Sequence, residues 1–122
     1  MILNKGSDSS LNFRFYIDSS SNYTFDTFNP RLYQNSFGKV QENVWVHFSL
    51  IVNDTKQEVF KGGQLVQSGF RTGNVYKDDS PLQLGSKFNP QTRFREFSID
   101  DLRIYDRALS AAEVQALYQL GN

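Results

Sequence analysis

Val44-Trp45-Val46-His47-Phe48-Ser49-Leu50-Ile51-Val52 alternates without a break. Val44, Val46, Phe48, Leu50 and Val52 share one face, and Trp45, His47, Ser49 and Ile51 share the other. Period two over this length predicts a strand, and apolar residues on both faces predict a central one, covered on each side. Downstream, Asn53-Asp54-Thr55 turns the chain and Glu58-Val59-Phe60-Lys61 returns. Gly62-Gly63 supplies the positive φ values of a tight hairpin turn, and residues 64–70 form the next strand. Another short strand is expected over residues 81–85, followed by an irregular polar loop through Asn89-Pro90.

Upstream, residues 11–18 alternate as cleanly, with Leu11, Phe13, Phe15 and Ile17 against Asn12, Arg14, Tyr16 and Asp18. That predicts a strand with one buried face. Ser19-Ser20-Ser21-Asn22 makes a turn, residues 23–28 return, and Asn29-Pro30 ends the hairpin. Ile2-Leu3-Asn4-Lys5-Gly6 reads as the end of a strand entering a turn, and residues 31–38 as a surface loop with a short strand.

Residues 97–105 are expected to be the last long strand, with a flaw. Leu102 and Ile104 share a face that strict alternation denies to Ile99. Burying all three requires an extra residue at Asp100-Asp101, a β-bulge. The end is helical. Ser110-Ala111-Ala112-Glu113 is a capping box, Val114, Leu117 and Tyr118 form an apolar stripe, and Gly121 suits a C-cap. A helix of about ten residues is marginal alone, so its stripe must dock on the sheets.

Composition agrees with a sheet protein. The 122 residues fit a single domain, 1–122, and the 11 Phe and 6 Tyr suit a pleated surface. Thirteen basic and thirteen acidic residues cancel, and the basic excess that binds phosphate backbones is missing. Nucleic acid is therefore not an expected partner. The sequence has no cysteine, which removes disulfides and thiolate metal sites. No apolar run approaches the roughly 20 residues of a membrane span, and no signal peptide opens the chain. Met1 is read as a start inside a longer parent protein.

The run Ile99-Asp100-Asp101-Leu102-Arg103-Ile104-Tyr105-Asp106-Arg107-Ala108-Leu109-Ser110, continuing through Glu113-Val114-Gln115-Ala116-Leu117-Tyr118, resembles the C-terminal signature of laminin-G-like jelly-roll domains. Trp45-Val46-His47-Phe48 resembles that family's Trp-x-His-hydrophobic strand, and Phe60-Lys61-Gly62-Gly63-Gln64-Leu65-Val66 its hairpin. The resemblance implies an all-β fold: an antiparallel β-sandwich, concanavalin A-like, with one short C-terminal helix. Family members usually begin several strands earlier, and those strands pair with the C-terminal one. The expectation is that another chain supplies them, or that the protein compensates by dimerisation or a rearranged sheet.

Candidate sites follow. In similar jelly rolls an Asp at the place of Asp100 helps bind structural calcium, so Asp100 and Asp101 are the metal candidates. Calcium takes six to eight oxygens, and the family's usual Gly is replaced here by Phe97. The alternative is that both carboxylates bond backbone amides at the bulge or pair with Arg103 or Arg107. Tyr23, Phe25, Tyr33 and Phe37, with Arg31 and Gln34, are candidates for a sugar platform. Aromatic faces stack on pyranose C–H faces, while amides and guanidinium groups bond hydroxyls. Some of these aromatics must instead be core. Tyr76, Asp78 and Asp79 form a second loop candidate. His47 is read as structural, and Arg103, Tyr105 and Arg107 as architectural, Arg107 pairing with Asp101 or Asp106. Asn22-Tyr23-Thr24 and Asn53-Asp54-Thr55 match the short glycosylation sequon.

The leading functional expectation is a non-catalytic carbohydrate-binding or adhesion module of a larger extracellular protein, meeting a glycan or a glycan-bearing surface. A structural or protein-interaction module without glycan binding is the alternative, and the missing strands favour it. A glycoside hydrolase is the third reading, with Glu96 and Asp100 as the nearest carboxylate pair.

Overall fold

The hairpin of residues 10–27 sets the first sheet. In the computed structural model, which describes residues 1–7, 10–28, 36–71, 73, 78–85 and 97–121, β2 (Ser10–Ile17) pairs with β3 (Tyr23–Thr27). Asp18 closes the turn: its carboxylate accepts the Ser20 and Asn22 amides at 2.8 and 3.0 Å, and the Asn22 amide above all holds its pKa below the usual value. β1 (Leu3–Ser7) runs antiparallel beside β2, with a register shift between Lys5 and Gly6, and β7 (Leu82–Leu84) pairs with β1. The order is β3-β2-β1-β7.

The second sheet has the order β4-β5-β6, built from β4 (Phe48–Val52), β5 (Lys56–Lys61) and β6 (Gln64–Phe70), all antiparallel. Between β5 and β6, Gly62 and Gly63 have φ of 59° and 76°. A Cβ at Gly63 would meet Gln115 Oε1 at 2.6 Å and Tyr118 Cδ1 at 2.9 Å, so glycine here serves both the turn and the close approach of the helix.

Two layers of core follow from the alternation. Between the sheets, Phe15, Tyr23, Phe25, Phe37 and Val59 are buried, with Phe13, Phe48, Leu50 and Val52 packed against them. On the far side of the second sheet, Ile51 and Phe60 meet Leu109 and Val114 of the C-terminal segment. The inner core also contains a polar link. The Thr27 hydroxyl donates to Gln57 Oε1, Arg71 donates to Thr27 Oγ1, and Gln57 Nε2 donates to the Phe25 carbonyl at 3.2 Å. Burial lowers the Arg71 guanidinium pKa.

The helix α1 (Ala111–Leu120) starts as its sequence requires. Ser110 Oγ accepts the Glu113 amide, and Glu113 Oε2 accepts the Ser110 amide at 2.7 Å. Gly121 caps the end in a right-handed conformation, φ −80°. Arg107 grips Glu113 bidentately at 3.0 and 2.7 Å, and this contact is the largest cause of a Glu113 pKa lowered to about 2. The folded carboxyl thus titrates below its ordinary 4.5, so its stabilisation is complete above that value and disappears as pH falls towards about 2. Glu113→Ala is expected to lower the urea midpoint at pH 7, with the gap to the parent closing by pH 2. Ser110→Ala, which removes a hydroxyl that does not titrate, should cost about 1 kcal/mol at both.

Four expectations need correction. β4 begins only at Phe48, because the hairpin turn at Gly62-Gly63 leaves no β5 residue opposite Val44, Trp45 and Val46; Trp45 is 71% exposed. β4 is also an edge strand among the described residues, though covered on both faces. Residues 97–105 form no strand, since no described strand lies beside them. Asp101 nonetheless has φ 53°, which places the backbone irregularity at the expected Asp100-Asp101 step. The close ion pair of Arg107 is with Glu113, while Asp106 adds a smaller electrostatic attraction.

Candidate functional site

The outer face of the four-stranded sheet is polar where its inner face is aromatic. Register brings Gln83 of β7, Asn4 of β1, Arg14 of β2 and Asp26 of β3 into one row, with Tyr16 opposite Thr24 in the next. These residues sit outward because Leu3, Phe13, Phe15, Tyr23 and Phe25, the alternate positions, are drawn into the core.

An ion pair centres the row. Asp26 is 1% exposed, and its Oδ2 accepts from Arg14 Nε at 2.8 Å and lies 2.7 Å from Nη2. The Tyr16 hydroxyl approaches the same oxygen at 3.4 Å. The guanidinium lies over the Tyr16 ring, 4.6 Å from its centroid, with the Phe28 ring at 5.7 Å. Asn4 Nδ2 reaches Gln83 Oε1 at 3.5 Å. Asn4 Oδ1 and Thr24 Oγ1 are buried and have no hydrogen-bond partner among the described residues. The row therefore gathers a planar guanidinium on an aromatic ring, two amides, a hydroxyl and a carboxylate, of which Arg14, Tyr16 and Gln83 are half-buried and Asn4, Thr24 and Asp26 are buried. Such groups bond vicinal hydroxyls, and the paired charges cancel.

The proposed sugar platform is not assembled as expected. Tyr23 and Phe25 stand opposite Ile17 and Phe15 on the inner face and are 7% and 2% exposed. With Phe37 they build the inter-sheet core, Tyr23 stacking on Phe15 and Phe37 at 6.1 Å, so no ring face is left for a sugar. Arg31, Tyr33, Gln34 and Tyr76 lie outside the described residues, as does Glu96. Asp78 is occupied locally: it accepts the Ser80 amide at 2.9 Å, the largest cause of its lowered pKa, and Lys5 Nζ lies 3.6 Å from it.

Asp100 and Asp101 are exposed, and Asp100 Oδ1 accepts the Asp101 amide at 2.9 Å. Among the described residues no three His, Asp or Glu side chains gather. Two adjacent carboxylates, one already holding a backbone amide, supply only part of the six to eight oxygens that a calcium ion takes. His47 packs against Tyr118, ring centroids 5.7 Å apart, beneath the helix.

The sequence reading missed the Arg14–Asp26 row. Its signal was present in the alternation of residues 11–18, which puts Arg14 and Tyr16 on one face. The hairpin register that sets Asp26 opposite Arg14 depends on the turn.

Comparison with known proteins places the chain. Residues 1–115 match the Laminin_G_3 family, described as the concanavalin A-like lectin/glucanases superfamily. No curated protein matches it. A similar solved structure is the 2.1 Å crystal structure of an S-layer domain-containing protein (residues 221–444) from Clostridium thermocellum ATCC 27405, 22% identical with a TM-score of 0.48. That match covers 94% of this chain and 63% of the other, so this chain spans less than two thirds of that structure. With two antiparallel sheets, one short helix and a family match over nearly its whole length, the chain belongs to the concanavalin A-like lectin/glucanases superfamily as a laminin-G-like domain.

Proposed function

We propose that this domain is a non-catalytic carbohydrate-binding module of a larger extracellular protein, and that it meets its glycan on the polar face of the four-stranded sheet. The observation that carries the reading is the row Gln83–Asn4–Arg14–Asp26 beside Tyr16 and Thr24. Arg14, Tyr16 and Gln83 are the half-buried members of this row, and a guanidinium, a phenol and an amide are groups that bond sugar hydroxyls. The non-catalytic part of the reading is supported by Asp26, a carboxylate tied to Arg14 and so committed to structure.

A glycan array probed with the intact domain is expected to show selective binding to neutral oligosaccharides. Tyr16→Ala and Gln83→Ala should each weaken it by about tenfold, the loss of one good contact, with the thermal midpoint little changed. Binding should be equal in calcium and in chelator, and no reducing ends should be released. A folded domain that binds nothing on the array would leave the structural or protein-interaction module as the better reading.

A further inference from the structure

Asn22-Tyr23-Thr24 and Asn53-Asp54-Thr55 both carry the pattern that glycosyl transfer to asparagine requires, and the fold treats them oppositely. Asn22 Nδ2 is held by both oxygens of Asp18, at 3.2 and 3.3 Å, and its backbone bridges Lys39. Thr24 lies inside β3 and is 6% exposed. Neither the nitrogen nor the hydroxyl of that pattern is presented to an enzyme while the hairpin is closed.

Asn53 is half-buried in the turn between β4 and β5, where Asp54, Thr55 and Lys56 are exposed. Its Oδ1 accepts three hydrogen bonds, from the Thr55 amide at 2.9 Å, the Thr55 hydroxyl at 2.9 Å and the Lys56 amide at 2.8 Å. Its Nδ2 donates to no group among the described residues. An amide nitrogen is a poor nucleophile, because its lone pair is shared with the carbonyl, and it attacks as its proton leaves. Negative charge then builds on Oδ1, where three donors already converge. The hydroxyl that the pattern demands at its third position is one of them.

We propose that Asn53 is a glycan acceptor, taking its sugar from a glycosyl diphosphate carried on a nucleotide or a polyprenyl chain. Nδ2 forms a bond to the anomeric carbon, and the bond from that carbon to the diphosphate oxygen breaks. The electron pair of the broken bond leaves with the diphosphate, and the Nδ2 proton passes to a base of the transferase. A bulky, solvated group then stands on the β4–β5 turn. This turn belongs to the three-stranded sheet and the row Gln83–Asn4–Arg14–Asp26 to the other, so the proposal fails or holds separately from glycan binding there.

The purified folded domain is tested in two arms. One supplies a soluble asparagine glycosyltransferase with UDP-glucose, the other an oligosaccharyltransferase with a polyprenyl-diphosphate oligosaccharide. Intact-mass spectrometry and peptide mapping are expected to find one glycan, on Asn53, in at least one arm, and that arm names the donor. Asn53→Gln should abolish it, and Asn22→Gln should not. Because Asn53→Gln also removes contacts of the turn, Thr55→Ala is the second variant: it keeps the asparagine and both backbone donors. The initial rate should fall by about a hundredfold, the effect of one donor lost at a developing charge, and Thr55→Ser should restore it. No modification in either arm overturns the proposal, as does a glycan on Asn22 or a rate indifferent to Thr55→Ala.

Discussion

Phe15→Ala is expected to lower the unfolding free energy by about 3–5 kcal/mol. Phe15 is 5% exposed at the middle of β2, and three rings close on it: Tyr23 and Phe37 stacked at 6.1 Å, and Phe48 edge-on at 5.1 Å. Phe48 comes from the second sheet, so this contact spans the sandwich. Alanine removes both the transfer free energy of the ring and the edge-to-face attraction, and it leaves a cavity whose walls are strands that cannot easily collapse. Urea unfolding monitored by circular dichroism measures the loss. Phe70→Ala is the contrast: Phe70 is 91% exposed on β6, and the change should stay within about 0.5 kcal/mol. Similar losses at the two positions would mean that the rings around Phe15 are not the core.

The difference between these phenylalanines shows how far local pattern reaches. Phe15 is legible because residues 11–18 alternate and one face must be buried. Phe70 ends a run that reads as an ordinary strand, and whether a neighbour covers it is decided by sheet order, which alternation does not encode. The same limit explains residues 97–105, whose composition is that of a strand but whose pairing depends on elements distant in sequence. By contrast, Ser110 and Glu113 cap a helix through contacts three residues apart, so the capping box was readable outright. Local chemistry survives translation into structure; long-range pairing does not.

The candidate site divides along the same line. Aromatic residues in the segment after β2 invited a sugar platform, but Tyr23 and Phe25 fall on the inner face once the hairpin register is set. Aromatic identity alone does not separate core from binding surface, since both reward large flat side chains. Arg14 and Asp26 stand twelve residues apart in the sequence, and only the hairpin makes them partners.

That pair gives the second large effect. Arg14→Met is expected to cost about 3 kcal/mol, within the range for breaking a buried ion pair and discounted because the Arg14 side chain remains 20% exposed. Asp26 is 1% exposed, and the variant removes the guanidinium that holds its Oδ2 at 2.7 and 2.8 Å, so the cost is that of weakening the support of a buried carboxylate. Replacing both partners, Arg14→Met with Asp26→Leu, should recover most of the loss, because an apolar pair of similar volume needs no desolvation repaid. The double variant should also bind no glycan while remaining folded, which separates the pair's structural role from its role in recognition. A cost for Arg14→Met below about 1 kcal/mol would match a solvent-exposed pair, and the sheet face would then be open to water and Asp26 free to act as more than an anchor.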